Sequence, residues 1–367
     1  MEFQRNGGSI LNRLIAETLE KGADELTVSG NYEIEETVLL PSDFTLTLKD
    51  AHLKMADGTF CNMFRNISCG TEKGKTLAGA DHDITLRGEG KAILDGGEYN
   101  GLSERNSLKE GRPHISVNNI LLFGNVERFR VEGLHVRNQR WWALNFVACR
   151  EGKIRNVDFL SDFTTVDSDG VRHEGLGMRR YDGRASDYES VYIKNSDGID
   201  LRRGCHDILI ENVTGFTEDD TVALTALYGK VEELYGVPDA DQDIYNVIIR
   251  NVMSSAYCAN VRLLNQGGAK LYNILVDGVF DTSKGSRYMD RGGSGVRLGD
   301  VHLYGTRHAT ADETFNITIR NVVSRAGAAF RVAGAMKDCT FENIRGFDGC
   351  GKVIDDNASV DITPFIR

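Results

Sequence analysis

The sequence predicts an all-β chain wound into a right-handed parallel β-helix with an N-terminal capping helix. Three observations predict it. A six-residue motif recurs along the chain, its closest copies one coil apart and its wider gaps holding insertions or an intervening rung. Most copies alternate apolar and polar residues, and each ends in Asn or Gly followed by another apolar residue. Strands alternating with longer helical patterns, the mark of a doubly wound sheet, are absent.

The copies read FRVEGL (129–134), GKIRNV (152–157), ILIENV (208–213), VIIRNV (247–252), ILVDGV (274–279), ITIRNV (317–322) and CTFENI (339–344). Gly133 and Asn156 are 23 residues apart, and Asn321 and Asn343 are 22 apart. One such rung cannot bury its apolar face alone, and stacked rungs build a continuous core. Asparagine tolerates the left-handed conformation that a corner requires. These asparagines are therefore read as corner residues. Ahead of the repeats, Ile10, Leu11, Leu14, Ile15, Thr18 and Leu19 form one helical stripe, and Gly22 marks its stop. Short alternating runs follow at Glu25–Ser29, Thr37–Leu40 and Phe44–Leu48. A helix before strands suits a cap on the open end of a solenoid.

The 367 residues are 41% hydrophobic, with 4 prolines, 40 glycines and no linker-like stretch. One domain over 1–367 is expected, with the cap and first strands in 1–50 and the main coils in 80–350. The net charge of −11 argues against a nucleic-acid partner, which needs a basic stripe. No run approaches the length of a membrane span. The opening MEFQRNGGSI lacks the features of a secretory leader. The 7 cysteines are scattered without C-x-x-C spacing, as free thiols in a reducing compartment would be. A cytoplasmic location is expected, with a secreted form processed from a longer precursor as the alternative, and with no cofactor and no metal.

One segment departs from what a scaffold needs. NSDGIDLRRGCHDILIENVTGFTEDDTVAL (195–224) holds Asp197, Asp200, Glu218, Asp219 and Asp220. Asp197 and Asp219 are 22 residues apart, about one coil. That spacing predicts them stacked on one sheet, about 5 Å apart at the backbone. Like charges so placed destabilise each other. Paired carboxylates supply the acid and base of glycosidic hydrolysis. Aspartate clusters also bind calcium, and Asp200 or Glu218 also suits a turn cap. The residues alone leave these readings open.

The chain resembles glycoside hydrolase family 28, the polygalacturonase group, over nearly its whole length. Asn195–Asp200 (NSDGID) is similar to the family's NTDGID motif, and Glu218-Asp219-Asp220 to its G-D-D. GEGKAILDGGEYNG (88–101) resembles its G-x-G-x-I-D-G-x-G segment. Arg112-Pro113 and VRNQRWWALNF (136–146) resemble its R-P and N-S-P-x-W segments. The resemblance implies a right-handed parallel β-helix and inverting hydrolysis of a pectin-derived or related oligosaccharide. It assigns the general acid to Asp219. Asp197 and Asp220 become the pair that positions and deprotonates water.

Two positions depart from the family. Cys258 stands where its G-H-G histidine belongs, with Tyr257 and Asn260 as neighbouring donors. Arg297 is kept from its R-I-K, but Gly299 replaces the lysine and Asp300 follows. In the family that basic pair holds the substrate carboxylate, so a non-galacturonate sugar becomes plausible. Arg172, His173, Arg179, Arg180 and Arg184 are an alternative basic source. Asn195, Cys258, Asn260, Arg297, Trp141 and Trp142 are the expected substrate contacts, the tryptophans as stacking faces. Long insertions at 160–190, 226–244 and 281–294 predict exo action if they wall the cleft. The alternatives are a carbohydrate-binding solenoid without catalysis and a β-helical lyase or epimerase.

Overall fold

The computed structural model describes residues 2–97, 114–139, 141–161 and 197–367. It also gives the backbone of the short strands Thr165–Asp167, Arg172–His173 and Val191–Tyr192. Arg112-Pro113, Asn195 and Arg179, Arg180 and Arg184 lie outside the described residues.

The helix Gly7–Glu20 buries Leu11 and Ile15 and ends before Gly22, whose φ is 74°. Leu19, at the far end of the expected stripe, is 43% exposed. The helix approaches the first strand, Glu25–Ile34, so closely that a Cβ at Gly7 would lie 2.7 Å from Tyr32. It closes the first rung, as a cap must, because an open rung would expose the core.

Behind it, two long parallel sheets run side by side. Among the described residues, the first has 14 strands and the second has 10. The repeats lie in the first sheet, within Arg150–Leu160, His206–Thr217, Ile244–Ala256, Leu271–Asp281, Thr314–Ser324 and Thr340–Gly346. These strands stack in sequence order. The second sheet runs from Val38–Leu40 to Lys352–Ala358, so coils extend on both sides of the expected 80–350.

Register converts the alternation into a core. Ile210, Ile249, Val276, Ile319 and Phe341 form one inward column, and all are fully buried. Ile199, Val222, Val261, Val296 and Phe330 form the facing column from the second sheet. Each buried side chain contributes roughly 1.5–3 kcal/mol relative to exposure.

The corners are where the repeat placed them. Asn156, Asn212, Asn251, Asn321 and Asn343 have φ between 52° and 57°, and Gly133 and Gly278 take the same role at 73° and 84°. The asparagines also bond to one another. Asn212 Nδ2 donates to Asn156 Oδ1 at 3.0 Å, and Asn251 Nδ2 to Asn212 Oδ1 at 3.1 Å. A second left-handed ladder, Asp207, Asn246, Asn273 and Asn316, stands at the start of the same strands. Outside it, His206, Tyr245, Tyr272 and Phe315 stack with nearly parallel rings 4.6–5.0 Å apart.

Asn212→Val should cost about 2–3 kcal/mol, from left-handed strain and the lost ladder bonds. Asn212→Gly should cost less, since glycine serves at Gly133 and Gly278. Urea unfolding of both variants checks the order.

Candidate functional site

The site lies on the outer face of the second sheet, where Asp197–Arg202, Val222–Ala226, Ala259–Asn265 and Ser294–Leu298 stack in that order. Ile199 pairs with Val222. The coil therefore has 23 residues here, and Asp220, not Asp219, stands over Asp197. The Asp220 N–H donates to Asp197 Oδ1 at 3.2 Å, and Gly198 N–H returns a bond to Asp220 O at 2.9 Å. Asp219 falls one position earlier. The pairing of Val222 with Val261 sets it opposite Cys258. The expected Asp197–Asp219 stack is thus corrected by one residue, because the segment Glu218–Asp220 bends before its strand begins.

The carboxylates are brought together. Asp219, Asp220 and Cys258 hold their polar atoms within 4.8 Å of one another. Asp197, Asp200 and Asp220 are all at least nine-tenths buried, and Asp219 is half-buried. Burial and the charges of Asp200, Asp219 and Asp220 push the Asp197 carboxyl well up. Burial pushes Asp200 up to about 8, with Arg202 pulling against it. Burial also raises Asp220, but Arg262 and the Cys258 thiol restrain it at about 6.

Arg262 is the residue that sequence reasoning missed. Its Nη1 donates to Asp220 Oδ2 at 3.3 Å, and its Nη2 donates to Asp300 Oδ2 at 3.0 Å. Arg297, in register with Arg262, also pairs with Asp300 Oδ2. One fully buried carboxylate therefore holds two guanidiniums on adjacent rungs. No motif pointed to Arg262, because its partners are 42 and 38 residues away. Only the register joins them.

The other expected contacts separate. Cys258 is buried, and its Sγ lies 3.5 Å from Arg297 Nη1. Burial raises its thiol pKa, so it stands beside the acids as a neutral group. Asn260 is 2% exposed and donates to Ser254 O and Oγ, at 2.7 and 2.8 Å. It ties the corner rather than facing the cleft, which corrects its assignment as a substrate contact. The Tyr257 hydroxyl donates to Tyr288 O at 3.1 Å. Trp141 is 5% exposed and packs with Ile115 in a small cluster apart from the main core, so its buried ring does not serve as an open stacking face. Trp142 is half-buried, with the Arg202 guanidinium 3.8 Å over its ring.

Gly299 has a structural reason. Its φ is 73°, and a Cβ there would lie 2.0 Å from Ala333 O. A lysine does not fit that backbone.

The 226–244 insertion folds the short helix Lys230–Tyr235 over the lower rungs. Val231 and Tyr235 pack on Leu122 and Val147, and Glu232 reaches Arg202 at 3.5 Å. Leu122 and Val147 belong to second-sheet strands below Asp197. The helix therefore covers part of the outer face on these rungs.

The fold is that of known right-handed parallel β-helix proteins. A hyperthermoactive exopolygalacturonase from Thermotoga maritima superposes with a TM-score of 0.56 at 15% identity, covering 91% of this chain and 82% of that one. A galactose-4-sulfate-3,6-anhydro-D-galactose-2-sulfate galactohydrolase gives 0.55 at 11% identity, covering 98% and 89%. The Streptococcus pneumoniae surface protein and adhesin PfbA gives 0.53 at 14% identity, covering 97% and 83%. No family model matches the sequence, and no curated protein matches it. Among the described residues, no helix is long and apolar enough to cross a membrane.

Asp200 supplies a test of this electrostatic picture. A carboxyl raised to about 8 is neutral in the folded protein and charged in the unfolded chain between about pH 4 and 8. Its favourable contribution is full below about pH 4 and is lost as pH rises through 8. Asp200→Asn should flatten the fall in melting temperature over that window. An unchanged slope would place the Asp200 carboxyl elsewhere in the titration.

Proposed function

We propose that the chain is an inverting, exo-acting glycoside hydrolase of a pectin-derived or related oligosaccharide. One observation carries the reading: Asp197, Asp219 and Asp220 converge on one outward face, with the Arg262 guanidinium on Asp220. A scaffold gains nothing from buried like charges. Among the solved structures of this fold, the exopolygalacturonase and the galactohydrolase are hydrolases by name.

The roles follow from the resemblance and from the charges. Asp219, the most accessible of the three, protonates the leaving oxygen. Asp220, kept ionised above about pH 6, deprotonates water. Asp197, held neutral by burial, orients that water. The Cys258 thiol, beside Asp220, takes the place of the family histidine as a weak donor. The cover of Lys230–Tyr235 over the lower rungs supports release from a chain end.

A non-galacturonate substrate is the better fit. Asp300 already occupies both Arg297 and Arg262. The second cation of the family is barred by the backbone at Gly299. A substrate carboxylate would have to compete with a buried aspartate for the same guanidiniums. The seven free cysteines support a reducing compartment. A binding solenoid remains the second reading, favoured by Cys258 and by the adhesin that shares the fold. Arg262 inside the carboxylate cluster disfavours a calcium-dependent lyase, because it occupies the cationic position.

Asp219→Asn should lower turnover of an unactivated oligosaccharide by about 100- to 10,000-fold. It should spare a nitrophenyl glycoside, whose leaving group needs no proton. Proton NMR of the first-formed anomer reports inversion. No turnover of any plant or bacterial oligosaccharide by the parent protein would favour the binding solenoid.

Arg262→Gln should move the acidic limb of kcat/KM upward from about pH 6, since Arg262 favours the charged form of Asp220. A pH-rate profile checks the direction.

A further inference from the structure

The segment after Asp300 presents an unusual surface. Val301 is 65% exposed, Leu303 47% and Tyr304 53%. Three large apolar groups within four residues face solvent, beside a cluster of buried charges. Exposed apolar groups so concentrated mark a contact surface.

This surface is rigid. Gln266, 1% exposed, accepts from the Tyr304 N–H at 2.6 Å and the Gly305 N–H at 3.0 Å. Its Nε2 donates to His302 O at 2.7 Å. Asp300 Oδ1 accepts from the His302 N–H at 2.9 Å. The His302 ring meets the Tyr304 ring edge-on at 5.0 Å. Every one of these bonds fixes the loop without covering the tyrosine.

Its position ties it to the acids. The Arg262 guanidinium lies 4.9 Å from the Tyr304 ring centroid, and the same guanidinium bonds Asp220. Tyr304 is one side chain away from the proposed base. Arg262 and the His302 ring both touch the Tyr304 ring, and the residue is still 53% exposed to a ligand.

We propose that Tyr304 is the stacking platform of a sugar subsite adjoining Asp220, resting on the hydrolase reading above. The apolar face of a pyranose ring suits a fixed, exposed aromatic ring, and an aromatic contact also discriminates by shape rather than charge. The subsite favours a neutral pyranose. The guanidinium beneath the ring is engaged by Asp220 and Asp300, so the platform offers no uncommitted cation. Trp142, expected to stack on sugar, is half-buried with the Arg202 guanidinium 3.8 Å over its ring; Tyr304, more exposed at 53%, takes that role from a different loop.

Calorimetric titration of the Asp219→Asn protein with short galactan oligomers and short oligogalacturonates tests this apart from turnover. Tyr304→Ala in that background should weaken galactan-oligomer binding about tenfold, and Tyr304→Phe should retain it. In the active protein the loss should appear in KM rather than in kcat. Equal affinity of Tyr304→Ala and its parent would overturn the platform. So would the absence of binding by either oligomer at millimolar concentration, or a loss with Tyr304→Phe equal to that with Ala. Binding that depends on Tyr304 in a parent protein without turnover would retain the subsite and remove the hydrolase reading.

Discussion

Everything in this molecule depends on the register of parallel rungs about 4.8 Å apart. Each residue meets the same kind of position above and below it. Inside, that repetition is favourable, because isoleucine and valine columns pack without gaps. At the corners it is favourable too, because each left-handed asparagine bonds to the next. On the outer face it is hazardous, because any charge meets its neighbours at one rung's distance. The core and the site are consequences of the same spacing, with opposite signs.

The outer column of the second sheet shows how the hazard is managed. It runs Asn145, Asp200, Ala223, Arg262, Arg297, Arg331, Asp355. Three arginines occupy successive rungs. Asp300 joins the first two, and Asp355 pairs with the third at 2.9 Å. Asp300, beside the column, and Asp355, on its next rung, thus supply the countercharge. Asp197 over Asp220 has no such relief on its own rung. Burial then favours the neutral acid, and Arg262 reaches back to keep one of the two ionised. The difference between the two carboxyls arises from Arg262 first and from the Cys258 thiol beside it.

Much of the fold was legible because a corner needs a particular backbone conformation and only a few residues adopt it. Asn156, Asn212, Asn251, Asn321 and Asn343 recur for that reason, and the apolar residues before them alternate because their strands have one wet face. The second ladder, from Asp207 to Asn316, was less legible. Its members follow aromatic or histidine residues at the strand start, outside the six-residue motif. The acids were legible as a group but not as a stack, since one extra residue in the bend exchanges Asp219 for Asp220. Trp141 and Trp142 looked equivalent in sequence, yet Trp141 has a φ of 47° and is buried against Ile115 while Trp142 is half-buried. Arg262 and Tyr304 carried no local signal. Their meaning comes from Asp220, Asp300 and Gln266, each brought close only by coiling.

The change from the family pattern is coherent rather than piecemeal. A lysine at position 299 is excluded by Ala333 O on the next rung, so the cation at the cleft edge is lost together with its backbone. The cation instead enters from Arg262, deeper and already paired. A guanidinium in that place can tune an acid but is poorly available to a ligand, because freeing it would leave Asp220 buried without that cation. Breaking such a pair costs about 3–5 kcal/mol. Recognition must then rest on surfaces that need no free charge. Tyr304, rigid and exposed at the edge of the same arginine, is such a surface. On the hydrolase reading proposed above, the position of one guanidinium links the state of Asp220 to the chemistry of the sugar that the site would take.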